Sequence, residues 1–206
     1  MLEVKNIGMT LGGRLLFDQL SFSVDAGEML CITGTSGCGK TSLLRAVMGF
    51  LPVDHGFISI DGEQVTAESA NAFRRFMAYL PQDISFPCTT VREMVALPFD
   101  LRANAGTKFS KDRMFEEWHK LDLKDDLYGK NVAEISGGQR QRMMIATTRM
   151  LEKKIMLVDE PTSALDRDTS RMVAQYLAEA AREGAIILAV SHDAAFAAMC
   201  NKTISL

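Results

Sequence analysis

The chain has 206 residues, 47% hydrophobic and 24% charged, with a net charge of −3. That balance suits one compact domain with a sizeable core and excludes nucleic-acid binding driven by bulk charge. Cys31, Cys38, Cys88 and Cys200 are scattered, with no metal-like spacing to the three histidines, which fits a reduced cytosolic protein better than a disulfide-stapled secreted one.

In chain order, LEVKNI and LSFSV read as two early strands, set off by turns at Gly12-Gly13 and Ala26-Gly27. The opening alternates like a strand and does not read as a signal peptide. MLCIT is a continuous apolar run, as expected of a strand covered on both faces. KTSLLRAVMGF, from Lys40 to Phe50, has helical spacing. FISIDG and FMAYLPQ are further strands, the second ended by Pro81. From Asp83 to Glu134 only helical patterns appear, around Val91–Ala103 and Lys111–Leu123. Alternation then resumes: helix over Gly137–Met150, strand IMLVD, helix over Asp168–Arg182, strand AIILAVS, helix over Asp193–Met199 and a closing TISL. This alternation predicts an α/β fold with a mainly parallel central sheet. No stretch reaches the roughly 18 uncharged apolar residues of a membrane span, so work at a membrane would need a membrane part from another chain.

Residues 34–41, GTSGCGKT, fit GxxxxGK[ST] between a buried strand and a helix. Glycines let backbone N–H groups wrap phosphate oxygens in conformations that a Cβ obstructs, and the following helix adds its positive end. Lys40 supplies a cation to the β- and γ-phosphates, and Thr41 a hydroxyl to Mg²⁺. Cys38 is read as a small packing residue of the loop. Asp159 and Glu160 close the strand IMLVD, at the strand end that faces a ligand crevice in a parallel sheet. Asp159 is assigned to Mg²⁺, and Glu160 to polarising the attacking water. His192, past AIILAVS, is placed against the γ-phosphate or its water. Gln82 is placed where it reaches Mg²⁺ or the water and reports occupancy to the helical segment.

With Ile135-Ser136-Gly137-Gly138-Gln139 the sequence resembles the ATP-binding cassette (ABC) family, whose signature is LSGGQ. The resemblance runs through the chain in the family's order: GTSGCGKT, Gln82, ISGGQ, IMLVDE, SALD (Ser163–Asp166) and His192. It implies a P-loop NTPase fold, with an N-terminal antiparallel β subdomain and an inserted α-helical subdomain over about 83–134. The RecA-like core would span 1–82 and 135–206 of a single domain. It also implies ATP and Mg²⁺, with ATP held by Leu11, Gly34, Thr35, Ser36, Gly37, Cys38, Gly39, Lys40, Thr41 and Ser42. Thr41, Gln82 and Asp159 form the metal set, and Glu160, His192, Gln82 and Lys40 the catalytic set.

In the same resemblance, Ser136, Gly137, Gly138 and Gln139 reach the ATP of the other cassette in a head-to-tail homodimer. Ser163, Ala164, Leu165 and Asp166 lie at that interface. The implied partner is a membrane permease carried on a separate chain, with no nucleic acid, and the implied location is the inner face of the cell membrane. Ile84–Val91 would form an apolar groove for a helix of the permease. Two positions depart from the family. Leu11 stands where an adenine-stacking aromatic is usual, which loosens base preference, and Thr147 stands where the family often has arginine. A second reading is a soluble ABC ATPase of an assembly pathway, such as iron–sulfur cluster assembly. A third, a module that no longer hydrolyses, is opposed by the intact Lys40, Asp159, Glu160 and His192.

Overall fold

Two sheets organise the chain in a computed structural model that describes residues 1–85 and 87–206. The first is antiparallel, in the order β2-β1-β4-β5. It is built from β1 (Leu2–Leu11), β2 (Arg14–Val24), β4 (His55–Ile60) and the two-residue β5 (Glu63–Gln64). Gly12 and Gly13 join β1 to β2 at φ 59° and 79°, the pair of left-handed conformations a tight hairpin turn requires. The second sheet is parallel throughout, in the order β6-β7-β8-β3-β9. Its strands are β3 (Met29–Thr33), β6 (Met77–Leu80), β7 (Ile155–Asp159), β8 (Ile186–Val190) and β9 (Lys202–Ser205).

Each central strand feeds two cores, because successive side chains point to opposite faces. Leu30, Ile32, Ile155 and Leu157 join Leu43, Leu44 and Val47 of α1 (Lys40–Val47) and the inner face of the antiparallel sheet. Met29, Cys31, Met156 and Val158 point the other way, onto α5 (Gly137–Met150) and α6 (Arg167–Arg182). Burial on both faces explains why MLCIT and IMLVD show no polar alternation.

The segment 83–134 contains α3 (Val91–Ala96), α4 (Lys111–Lys120) and short 3₁₀ turns. The predicted helix Val91–Ala103 stops at Ala96. A 3₁₀ turn follows with Pro98 in its first turn, since proline cannot donate to the preceding helix. Trp118, Phe115 and Tyr128 pack edge to face, with ring centroids 5.8–6.5 Å apart. Met114, Trp118 and Leu121 belong to the same continuous cluster as α5 and α6. Val91 is wholly buried, and Ile84 and Cys88 pack against this cluster, so these members of the expected groove serve packing. Phe86, counted with that groove, lies outside the described residues. The remaining helices are α2 (Ala70–Phe73) and α7 (Ala194–Ala197). Neither the four-residue α2 nor the two-residue β5 stands out in the sequence pattern. Among the described residues no helix is long and apolar enough to cross a membrane.

Candidate active site

A crevice of roughly 650 Å³ opens at the carboxyl ends of β3, β7 and β8. The phosphate loop forms its floor. Gly34, Gly37 and Gly39 sit at φ 145°, 78° and 106°, conformations that side chains disfavour. Helix α1 starts at Gly39 with no side chain capping it, whereas α3, α4, α5, α6 and α7 are capped by Thr90, Ser110, Ser136, Asp166 and Asp193. The first N–H groups of α1 therefore lack the side-chain partner those helices have, and a helix start in that condition attracts anions. Lys40 Nζ donates to the carbonyls of Gly34 (2.9 Å) and Thr35 (3.0 Å), holding the cation over its own loop.

The two acidic residues at the carboxyl end of β7, its last residue Asp159 and the next, Glu160, are held differently. Asp159 is buried. Its Oδ2 accepts from the Thr41 hydroxyl at 2.7 Å and, at 3.4 Å, from Tyr79. Burial, and then the Asp159 charge, push the Tyr79 hydroxyl up to about 12, so it stays a neutral donor. Asp159 Oδ1 is buried without a hydrogen-bond partner among the described residues. A buried carboxylate oxygen in that condition beside a threonine hydroxyl fits a hard cation such as Mg²⁺.

Glu160 has φ 50°, uncommon for a residue with a Cβ. Its N–H donates to Val190 O at 2.9 Å, and its Oε2 lies 2.8 Å from His192 Nδ1. The carboxylate is buried, while the His192 side chain is 69% exposed and borders the crevice.

Leu11, Gly34, Thr35, Ser36, Gly37, Gly39, Lys40, Thr41, Ser42, Gln82, Asp159, Glu160 and His192 all border this crevice. Cys38 does not. Its Sγ packs against Gly34, where an added Cβ would come within 2.8 Å, and its N–H is turned to Thr35 O. Leu16 lines the crevice too and was not foreseen, and neither was Tyr79. Leu16 sits on β2, close enough to Gly39 that a Cβ there would meet it at 3.0 Å.

The other expected residues gather on a separate surface. Ser136 and Gln139 form a capping box at the start of α5, leaving the amides of Gly137 and Gly138 at the helix tip. Gly138 packs against the chain at Ala164 and Leu165, where a Cβ would fall 3.1 Å from both. Asp166 caps α6 through Asp168 N and Thr169 N. None of Ser136–Gln139 or Ser163–Asp166 borders the crevice. Thr147 is buried, and its hydroxyl bonds back to Met143 O, so the departure from the family pattern falls in packing.

A family model described as ABC transporter matches residues 17–163. The chain is 30% identical over its whole length to the probable iron export ATP-binding protein of Escherichia coli (strain K12), covering 91% of it. It is 36% identical over 93% of its length to an Fe(3+) ions import ATP-binding protein of Rhodococcus jostii (strain RHA1), spanning 55% of that protein. Among solved structures, a dimeric bacterial ABC transporter cassette superposes with a TM-score of 0.83 at 26% identity, covering all of this chain and 94% of that one. The same cassette has been solved as a post-hydrolysis dimer bound to ADP and phosphate. The chain thus belongs to the ABC transporter family and is an ATP-hydrolysing cassette that powers a transporter.

Proposed function

We propose that two copies of this chain close head to tail around ATP and drive a permease carried on a separate membrane chain. Each crevice supplies Lys40, the loop amides and the start of α1 to one triphosphate. Ser136, Gly137, Gly138 and Gln139 of the opposite copy complete it, with Ser163–Asp166 at the seam. An interface of this kind obeys two-fold symmetry, the same patch serving both copies. Support comes from the separation of the two surfaces within one chain and from the dimeric cassette it resembles.

Thr41 and Asp159 would hold Mg²⁺, with Gln82 on the same crevice, and the ion would neutralise charge on the phosphate oxygens. Glu160 accepts the proton of the attacking water. His192 keeps its carboxylate oriented and presents the other ring nitrogen towards the γ-phosphate. ATP stabilises the closed pair because it binds that pair better than the separated copies, and hydrolysis removes the difference. Location follows from the partner: the cytoplasmic face of the membrane holding the permease. The relatives are named for export of iron and import of Fe(3+), so their cargo and direction differ under one cassette architecture. None of the relatives named here carries an assembly-pathway name, and that reading gains no support from them.

The observation that carries this reading is the Asp159 carboxylate, one oxygen on Thr41 of α1 and the other buried without a partner among the described residues, at a helix start with no side-chain cap among them. The test uses Glu160→Gln with ATP and Mg²⁺. Light scattering should give twice the monomer mass, and extraction from detergent-treated membranes should recover a multi-span partner. A chain that stays monomeric under these conditions, with its membrane partner supplied, overturns the proposal.

A further inference from the structure

Gln141 is 96% buried, and both ends of its amide are in use. Its Nε2 donates to the Glu160 carbonyl at 2.8 Å, and its Oε1 accepts from Ala164 N–H at 3.2 Å. One side chain therefore closes the loop 160–164 from first residue to last, alongside the Ser163 N–H to Glu160 O bond of 3.2 Å. Three residues earlier on α5, Gly138 packs tightly against that same loop. The signature turn and the loop that starts at Glu160 are thus tied at two successive points of one helix. Glu160 needs such a tie. Its left-handed backbone persists only where the surroundings over-determine it, and here Val190 fixes its N–H while Gln141 and Ser163 fix its carbonyl.

We propose that Gln141 is a positioning residue that transmits engagement of the signature turn, Ser136–Gln139, to the orientation of Glu160. The proposal rests on the reading of Glu160 as the group that holds the attacking water. Gln141 lies off the crevice and reaches Glu160 only through its backbone carbonyl. It therefore acts on the rate of the chemical step and leaves loading of the first ATP unchanged. A misplaced base lowers kcat, because the angle and distance to the water set the fraction of productive encounters.

The test compares the full chain with Gln141→Met, of similar shape but unable to make either hydrogen bond, and with Gln141→Glu, which keeps an acceptor for Ala164. Gln141→Met should lower kcat for ATP hydrolysis by roughly 10- to 100-fold, with ATP affinity of the monomer changed less than about twofold. Gln141→Glu should lower kcat at neutral pH and regain activity as pH falls, because a protonated carboxyl again donates to the Glu160 carbonyl. A purely structural role would move melting temperature and kcat together, so an acid-side rise in kcat at an unchanged melting temperature marks positioning, and Gln141→Glu carries the test if Gln141→Met fails to fold. Unchanged kcat in Gln141→Met, equal losses of kcat and monomer affinity, or no acid-side recovery in Gln141→Glu overturns the inference. Glu160→Gln is the control: if it hydrolyses ATP normally, the underlying reading falls. If it is inactive while Gln141→Met is normal, only the positioning role falls.

Discussion

Two clusters of buried charge invite comparison, one in the crevice and one at the seam between α4, α5 and α6. At the seam, Arg149 donates to both oxygens of Glu183 at 2.7 Å, approaches Glu117 at 3.8 Å and stacks over the Tyr176 ring at 4.5 Å. Glu117 takes the Tyr176 hydroxyl at 2.5 Å and Lys120 at 3.0 Å. Every charge there has a partner within the chain. In the crevice Asp159 keeps an oxygen without one among the described residues, and Lys40 rests on carbonyls of its own loop. A buried charge that is fully paired ties a fold together, while one with unused bonding capacity marks a place for a ligand.

That contrast can be broken by substitution. Lys40→Ala should reduce ATP hydrolysis by about 100-fold or more, as loss of a main electrostatic contact to the reacting group does. It should leave the melting temperature unmoved, because among the described residues the Lys40 side chain bonds to its own loop. Turnover assays beside calorimetry decide, and a large drop in stability would place Lys40 among structural charges.

Glu117→Leu should act in the opposite sense. It should cost about 3 kcal/mol in denaturant unfolding, the lower end for a broken buried ion pair because Arg149 keeps Glu183. Hydrolysis per folded molecule should stay within about twofold of the parent. The pH dependence sharpens this. Burial works to raise the Glu117 carboxyl, but Tyr176, Lys120 and Arg149 outweigh it and hold it below the ordinary carboxylate range. A depressed folded-state value contributes stability that is present above the ordinary carboxylate pKa and is lost as pH falls through the depressed one. Acid should therefore erode the parent more steeply than Glu117→Gln, in parallel urea titrations from neutral pH downward.

The smallest effect concerns the base. Leu11 is 49% exposed and shares the crevice with Leu16, so two aliphatic surfaces stand where an aromatic is usual. Leu11→Tyr should tighten ATP binding by about 0.5–1.5 kcal/mol in calorimetry, the worth of an aromatic stack beyond its area. The parent should discriminate ATP from GTP less than the variant does. Strong ATP preference in the parent would show that aliphatic cover suffices.

Much of this architecture could be read along the chain because its determinants are local. The strands MLCIT and IMLVD, the glycines before Lys40 and the capped start of α5 are each defined within a few neighbours. Pro98 is visible as well, yet the helical spacing of Val91–Ala103 runs straight through it, and only the structure shows the helix ending at Ala96. What stayed hidden depends on residues far apart in sequence. Tyr79 meets Asp159 across 80 residues, and Gln141 meets Glu160 across 19. Arg149 finds Glu183 across 34, Tyr176 finds Glu117 across 59, and no spacing rule links such pairs. Gln141 carried one signal, a second glutamine just beyond ISGGQ, but polarity at an interior helix position says only that a partner exists.

The Lys40 ammonium is tied to two carbonyls of its own loop, Gly34 O and Thr35 O, so the cation is tethered to the backbone that forms the cradle. Any movement of that loop carries its charge along with it, so shape and cation reach a bound anion together.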